Sequence, residues 1–111
     1  FSTDHGTTFG PTTFDTMRPD PACEGSLLAV PEGLLFSNPA TTVPLPRNHV
    51  TVRLSTDQGA SWAYAHELDP GPSAYTALTR LADGRFAILW ESGRVLPYDG
   101  IRFAVFERAW L

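Results

Sequence analysis

The sequence contains few of the residues that form disulfides, bind metal ions or carry a positive charge. Its single cysteine, Cys23, excludes an internal disulfide. Its three histidines, His5, His49 and His66, stand apart without the spacing of a metal-ligand set. We therefore expect no bound metal, and no motif in the sequence calls for a cofactor. No apolar run approaches the roughly 18 residues that a membrane-spanning helix needs.

Lysine is absent, and all eight basic residues are arginine. The formal net charge of -4 makes the chain mildly acidic. This balance argues against nucleic acid or an anionic membrane as the main partner. Arginine without lysine also favours an origin in a GC-rich, bacterial genome.

Helical periodicity is missing too, because ten prolines and nine glycines interrupt the 111 residues at short intervals. Short β-branched or aromatic runs lie between these breaks and predict strands. The predicted strands are Ser26–Val30, Leu34–Ser37, His49–Ser55, Ser61–His66, Ala74–Leu81, Phe86–Glu91 and Ile101–Glu107. The segments "PEG" at Pro31–Gly33 and "ADG" at Ala82–Gly84 predict hairpin turns. The sequence therefore predicts an all-β meander.

One motif occurs twice, as "STDQGASW" at Ser55–Trp62 and as "STDHGTTF" at Ser2–Phe9, 53 positions earlier. A repeat of about 40–50 residues with four strands per unit is typical of a β-propeller. We assign residues 1–15 to the end of one blade, 25–67 to a complete blade and 73–111 to three strands of the last blade. So little chain cannot close a ring, and it starts inside a motif, so we expect a fragment with exposed blade faces.

The repeated motif has the chemistry of a turn between the third and fourth strands of a blade. Asp57 can accept hydrogen bonds from backbone N–H groups, Gly59 allows a positive φ, and Trp62 can bury its ring. We therefore interpret Asp4 and Asp57 as structural residues, not catalytic acids. The structural positions of the two copies are Ser2, Asp4, Gly6 and Phe9, and Ser55, Asp57, Gly59 and Trp62.

Five segments in order resemble the C-terminal part of an exo-α-sialidase (neuraminidase) that carries BNR repeats, also called Asp boxes. They are "DPACEGSLLAV", "LLFSNPA", "PRNHVTVRLSTDQGASW", "SAYTALTRLADGRFAILWE" and "YDGIRFAVFERAWL". The resemblance implies a six-bladed propeller with a central active site, sialylated glycans as substrates and no cofactor. It also implies that the N-terminal part of the same propeller is the missing partner of this chain, and it favours a secreted bacterial enzyme.

Sialidases of this type hold the substrate carboxylate with three arginines and use a tyrosine nucleophile. By the resemblance, Arg47 is the third of those arginines, Tyr75 the nucleophile, and Glu91 the acid that orients the first arginine. The remaining arginines, the Asp acid/base and the Glu that activates the tyrosine would lie upstream. The plainer alternatives are a surface arginine, a core aromatic and a solvated carboxylate.

Two further residues match more loosely. Tyr98 fits the family's "Y-x-x-I" and would line the site or pack beside it. Glu24 stands where relatives often carry Gln, at a pocket rim or in a turn. The family tyrosine is often followed by Ser-Asp, whereas Thr76 and Ala77 follow here. The side chains that would support the tyrosine in the family are therefore not matched at these two positions.

Two other hypotheses remain open at this point. A non-catalytic BNR propeller that binds glycans or proteins needs the repeated turns but not Arg47, Tyr75 and Glu91. A truncated product without activity would share all of these residues.

Overall fold

The computed structural model describes residues 2–15 and 18–111, and in this part of the chain strands predominate. The six strands are β1 (Ser26–Val30), β2 (Gly33–Pro39), β3 (Asn48–Ser55), β4 (Tyr64–Arg80), β5 (Phe86–Ser92) and β6 (Gly100–Phe106). One 3-10 turn, Arg108–Trp110, follows β6. No helix among the described residues is long and apolar enough to cross a membrane.

Each strand pairs antiparallel with the next, in the order β1-β2-β3-β4-β5-β6. The sheet curls and is consistent with a partial β-propeller, so the all-β prediction is confirmed. The division into blades at 1–15, 25–67 and 73–111 stays a prediction. We call β1, β2, β3 and the N-terminal half of β4 the first ladder. The C-terminal half of β4 with β5 and β6 is the second ladder.

Most predicted strand bounds agree with the structure to within two residues, and β1 agrees fully. The prediction of separate strands at Ser61–His66 and Ala74–Leu81 is wrong. Both belong to β4, a single 17-residue strand that begins at Tyr64. The short turn at Arg108–Trp110 was not predicted.

The error in β4 comes from the segment Asp69–Pro72, whose Pro-Gly-Pro composition indicates a turn. The chain stays extended there because the φ that proline imposes is compatible with extended backbone. Proline is tolerated in sheets at irregular positions, and the β3–β4 register shifts on either side of Val50, just before the pairing of Asn48 with Pro72. The N–H of Gly71 bonds to Asp69 Oδ1 at 2.9 Å, so it needs no partner in the ladder.

The hydrophobic core lies between the inner faces of the two ladders. The first ladder contributes Leu35, Val50, Val52 and Leu54, and the second contributes Phe86, Ile88, Trp90 and Phe106. Alternation along each strand puts these side chains on one face, because successive residues of a strand point to opposite sides. The turn after β6 adds Trp110 and Leu111 at the edge of this core.

The outer face of the second ladder is apolar and exposed. Leu89 is 46% exposed, Ile101 73% and Phe103 62%. Pairing puts Phe103 opposite Leu89 and Ile101 opposite Glu91, so these side chains form one surface. These exposed apolar side chains are consistent with the expectation of an exposed blade face, and the blade assignment itself stays a prediction.

Candidate active site

The loop between β3 and β4 holds the second copy of the repeated motif, which we call the second Ser-Asp turn (Ser55–Trp62). Ser55 Oγ donates to Asp57 Oδ1 at 2.7 Å and accepts from the N–H of Gly59 at 2.7 Å. The N–H of Ser61 donates to Asp57 Oδ1 at 2.8 Å. Gly59 has a φ of +88, as the turn requires. The contacts expected of Asp57 and Gly59 are therefore present.

The first Ser-Asp turn (Ser2–Phe9) repeats the same bonds. Ser2 Oγ donates to Asp4 Oδ1 at 2.7 Å and accepts from the N–H of Gly6 at 2.8 Å. The N–H of Thr8 donates to Asp4 Oδ1 at 2.9 Å. The two turns differ at the aromatic position, because Phe9 is 74% exposed. Trp62 instead packs half-buried against a neighbouring ring.

The carboxylates of the two turns are held in the ionised form by these donors. The pKa of Asp57 is lowered to about 2, chiefly by the side-chain and backbone hydrogen bonds from Ser61. The pKa of Asp4 is also lowered to about 2, chiefly by the backbone and side-chain hydrogen bonds from Thr8. Both carboxylates are already occupied with local donors, which suits a structural role for Asp4 and Asp57.

Tyr75 lies at a bulge in the second ladder. The β4–β5 register shifts between Ser73 and Thr76, so the ladder is interrupted at Tyr75. The N–H of Tyr75 donates instead to Glu91 Oε2 at 3.2 Å. The structure therefore brings together two of the residues that the resemblance singles out, and the bulge explains why a side chain replaces the ladder at this point.

The Tyr75 side chain is 47% exposed and lines a shallow pocket of about 260 Å³. Glu24 and Glu91 line the same pocket, with Leu89 and Ile101 as apolar neighbours. Glu24 therefore lies near Tyr75, and its role as a site residue or a turn residue stays a prediction. The pocket combines a phenol, two carboxylates and an apolar wall within one small volume.

Arg47 lies just before β3 and does not line this pocket. Its carbonyl accepts from the N–H of Ser73 at 2.9 Å, so its backbone is fixed two residues from Tyr75. Its guanidinium donates from Nη2 to the carbonyl of Ala22 at 3.0 Å. Its Nε is buried and has no hydrogen-bond partner among the described residues.

Arg47 and Glu91 share one electrostatic neighbourhood around Cys23. Burial raises the pKa of the Cys23 thiol, and the positive charge of Arg47 partly offsets this effect. The carboxylates of Asp20 and Glu91 raise it further. The thiol is thus disfavoured as a thiolate, which argues against a role as a nucleophile.

Thr76, the departure from the family pattern after Tyr75, is fully engaged. It is 4% exposed, and its Oγ1 donates to the carbonyl of Ser37 at 3.0 Å. Its Oγ1 also lies 2.7 Å from Ser37 Oγ. These bonds tie the backbone at Tyr75 to β2 of the first ladder, so Thr76 supplies support on one side. Ala77 is exposed and supplies none.

Tyr98 lies in the loop between β5 and β6 and is 59% exposed. Tyr98 does not line the pocket. The structure therefore brings Glu24, Tyr75 and Glu91 together in one pocket, which neither Arg47 nor Tyr98 lines.

Sequence reasoning missed a buried carboxylate behind the pocket. Asp69 is 6% exposed, and four donors from β4, β5 and β6 surround it. Burial by itself would raise the pKa of Asp69, but the hydrogen bonds and the Arg102 charge outweigh it, so the pKa is lowered. The only signal in the sequence was an acid in the segment "LDPGPS", which indicated a turn.

The comparison with known proteins decides the family. Over 120 residues, covering 99% of this chain, the sequence is 38% identical to a protein named Sialidase from Micromonospora viridifaciens. Over 96 residues, covering 76% of the chain, it is 33% identical to a protein named Exo-alpha-sialidase from Arthroderma benhamiae. The chain belongs to the sialidase family. No protein-family model matches it.

This sialidase segment spans 18% of the length of the Micromonospora relative and 23% of the Arthroderma relative. The described residues contain no group of three or more His, Cys, Asp or Glu that could hold a metal ion. The groups that this segment brings together in the pocket are an exposed phenol and two carboxylates. A phenol in such a setting can serve as an oxygen nucleophile.

Proposed function

We propose that this chain is part of a retaining exo-α-sialidase, in which Tyr75 attacks the anomeric carbon of a terminal sialic acid. The observation that carries the proposal is the placement of Tyr75, half-exposed in a pocket with Glu91 bonded to its backbone at 3.2 Å. The 38% identity to a sialidase over nearly the whole chain supports the same assignment. The substrates would be sialylated oligosaccharides, glycoproteins and gangliosides.

A phenol suits this substrate better than the carboxylate that most retaining glycosidases use. Sialic acid carries its own carboxylate on the anomeric carbon. A second anion about 4 Å away would cost on the order of 4 kcal/mol at an effective dielectric of about 20. That corresponds to roughly three decades of rate. The neutral Tyr75 hydroxyl avoids this repulsion, and a neighbouring base outside this segment would take its proton.

Arg47 would bind the substrate carboxylate. A guanidinium matches a carboxylate with parallel N–H donors, and charged hydrogen bonds of this kind contribute roughly 1.5–3 kcal/mol each. The structure supports this role because Arg47 is anchored by its backbone to Ser73 and by Nη2 to Ala22, so its position is defined before a ligand binds.

Glu91 would orient an arginine from the part of the protein outside this segment. One carboxylate oxygen already accepts from the N–H of Tyr75. The second oxygen remains able to accept from a guanidinium. Glu91 would in this way couple the substrate-binding arginine to the backbone of the nucleophile.

The test is the activity of the full-length protein that carries this chain, assayed on a fluorogenic sialoside. We expect Tyr75→Phe to lower kcat by several decades, because the attacking oxygen is removed. The matched control is Tyr64→Phe, since Tyr64 lies at the far end of β4 beneath the Arg108 guanidinium. This control should keep full activity. Proton NMR of the first product should show retention of the anomeric configuration.

Two results would contradict the proposal. A folded full-length protein without activity on any sialoside would favour the non-catalytic propeller that binds glycans or proteins. Activity that survives Tyr75→Phe would leave a sialidase with a different nucleophile.

A further inference from the structure

Asp69 is the most densely bonded carboxylate among the described residues outside the pocket. Its Oδ1 accepts from the N–H of Gly71 at 2.9 Å. Its Oδ2 accepts from Trp90 Nε1 at 2.9 Å, from Ser92 Oγ at 3.1 Å and from Arg102 Nη1 at 3.1 Å. The donors come from β4, β5 and β6, so one side chain joins every strand of the second ladder.

The donors on β5 flank a single residue. Trp90 and Ser92 both point toward Asp69, and Glu91 lies between them. Because successive side chains of a strand point to opposite faces, Glu91 faces the pocket while its neighbours are held from behind. The end of β5 is therefore fixed at the residue whose carboxylate bonds to Tyr75.

Asp69 also lies beside the bulge that interrupts the second ladder. The pairing of β4 with β5 is broken by the register shift between Ser73 and Thr76, so regular backbone bonds do not set the position of Tyr75. Asp69 lies in β4 before the bulge and bonds to Ser92, which pairs before the bulge, and to Trp90, which pairs after it. The backbone pairs again on both sides of the bulge, Ser73 with Ser92 and Thr76 with Trp90, so Asp69 adds side-chain bonds to the same two β5 residues that flank Glu91.

We propose that Asp69 is a positioning residue that holds Glu91 against the backbone of Tyr75. It does not touch the pocket and acts entirely through Trp90 and Ser92. This inference rests on the proposed function for its effect on catalysis, but its effect on the Tyr75–Glu91 hydrogen bond is independent of any activity.

The first measurement is amide hydrogen exchange in the full-length protein. Asp69→Asn removes the negative charge and replaces one of the two acceptor oxygens with an N–H₂ donor, so the hydrogen bonds that hold β5 are weakened. We expect the Tyr75 amide to exchange at least about tenfold faster in this variant, while the core amide of Ile88 is unchanged. If the exchange of Tyr75 does not change, the positioning role is wrong.

The second measurement is a double-mutant cycle on kcat/KM per folded molecule. Asp69→Asn should lower kcat/KM about 100-fold, the loss expected from a small displacement of reacting groups. Asp69→Asn combined with Glu91→Gln should be no worse than Glu91→Gln alone. Losses that multiply would show that Asp69 acts independently of Glu91, which would overturn the inference.

If Asp69→Asn fails to fold, Ser92→Ala takes its place in both measurements. This variant removes one donor and leaves the Asp69 carboxylate in place. It should produce a smaller change in both measurements in the same direction, and no change in either would count against the role of Asp69. The control is Asp83→Asn, because Asp83 is exposed in the turn before β5 and bonds only to Arg85 among the described residues. Faster exchange at Tyr75 in a protein without sialidase activity would refute the proposed function and support the positioning role.

Discussion

The two Ser-Asp turns have the same internal hydrogen bonds but different surroundings. In both, a serine hydroxyl links the aspartate to a glycine N–H, and the aspartate accepts from the backbone four residues on. The second turn joins β3 to β4 and sets Trp62 against Phe36 at a centroid distance of 5.8 Å. The first turn leaves Phe9 74% exposed.

This difference separates two properties that the motif combines. The shape of the turn depends on Ser, Asp and Gly at fixed spacing, because their hydrogen bonds are all local. The attachment of the turn depends on the aromatic residue and on the strands that enter and leave. The same motif can therefore have its full geometry and contribute very unequally to the stability of the fold.

The largest difference should appear at the aromatic position. Trp62 contacts Phe36 and lies under the Arg18 guanidinium, 4.6 Å from the ring centroid. We expect Trp62→Ala to lower the free energy of unfolding of the full-length protein by about 2 kcal/mol, since the ring is only half-buried. Urea denaturation measures this loss.

Phe9→Ala is the matched control and should cost less than about 0.5 kcal/mol, as is usual for an exposed side chain. Equal losses for the two variants would mean that the first turn is also anchored in the full-length protein.

A smaller difference is expected at the serines. Ser55 is fully buried, and its hydroxyl bonds both to Asp57 and to the N–H of Gly59. We expect Ser55→Ala to lower the free energy of unfolding by about 1–2 kcal/mol, because it removes the acceptor of the part-buried Gly59 N–H. Ser2→Ala removes the same bonds from a more exposed turn and should cost less. The prediction fails if thermal unfolding ranks the two variants in the opposite order.

The smallest difference should be in the titration of the aspartates. Asp4 and Asp57 both have a pKa lowered from 3.8 to about 2 by local donors. Each lowered pKa contributes stability that is present above pH 3.8 and is lost as the pH falls through about 2. Carbon-13 NMR of the side-chain carboxylates should therefore give closely similar midpoints. A midpoint near 3.8 for either residue would show that its turn is not formed in solution.

Local features were predictable from the sequence, and features set by contacts between strands were not. The turn at Ser55–Trp62 and the strand β1 depend on residue types a few positions apart. The continuity of β4 through Asp69–Pro72 depends on a carboxylate that satisfies the N–H of Gly71 and on pairing with β3. Composition alone therefore indicated a break that the tertiary structure removes.

The residues of the candidate site also differ in whether the sequence could predict them. Tyr75, Glu91 and Arg47 came from a resemblance in sequence, and the structure places Glu91 against the Tyr75 backbone and bonds the Arg47 carbonyl to the N–H of Ser73. Asp69 could not be found because its four donors lie up to 33 positions away in the chain. Its environment exists only after the strands have paired.

The continuity of β4 also limits how a protein of this kind can be rearranged by recombination. One strand is the outer member of the first ladder and the inner member of the second, with no linker between them. A duplication or exchange with its boundary between the ladders would cut beside Tyr75 and through the residues that Asp69 joins. The turn at Ser55–Trp62 offers a safer junction, since its geometry is self-contained. Copying units from turn to turn would carry each shared strand intact.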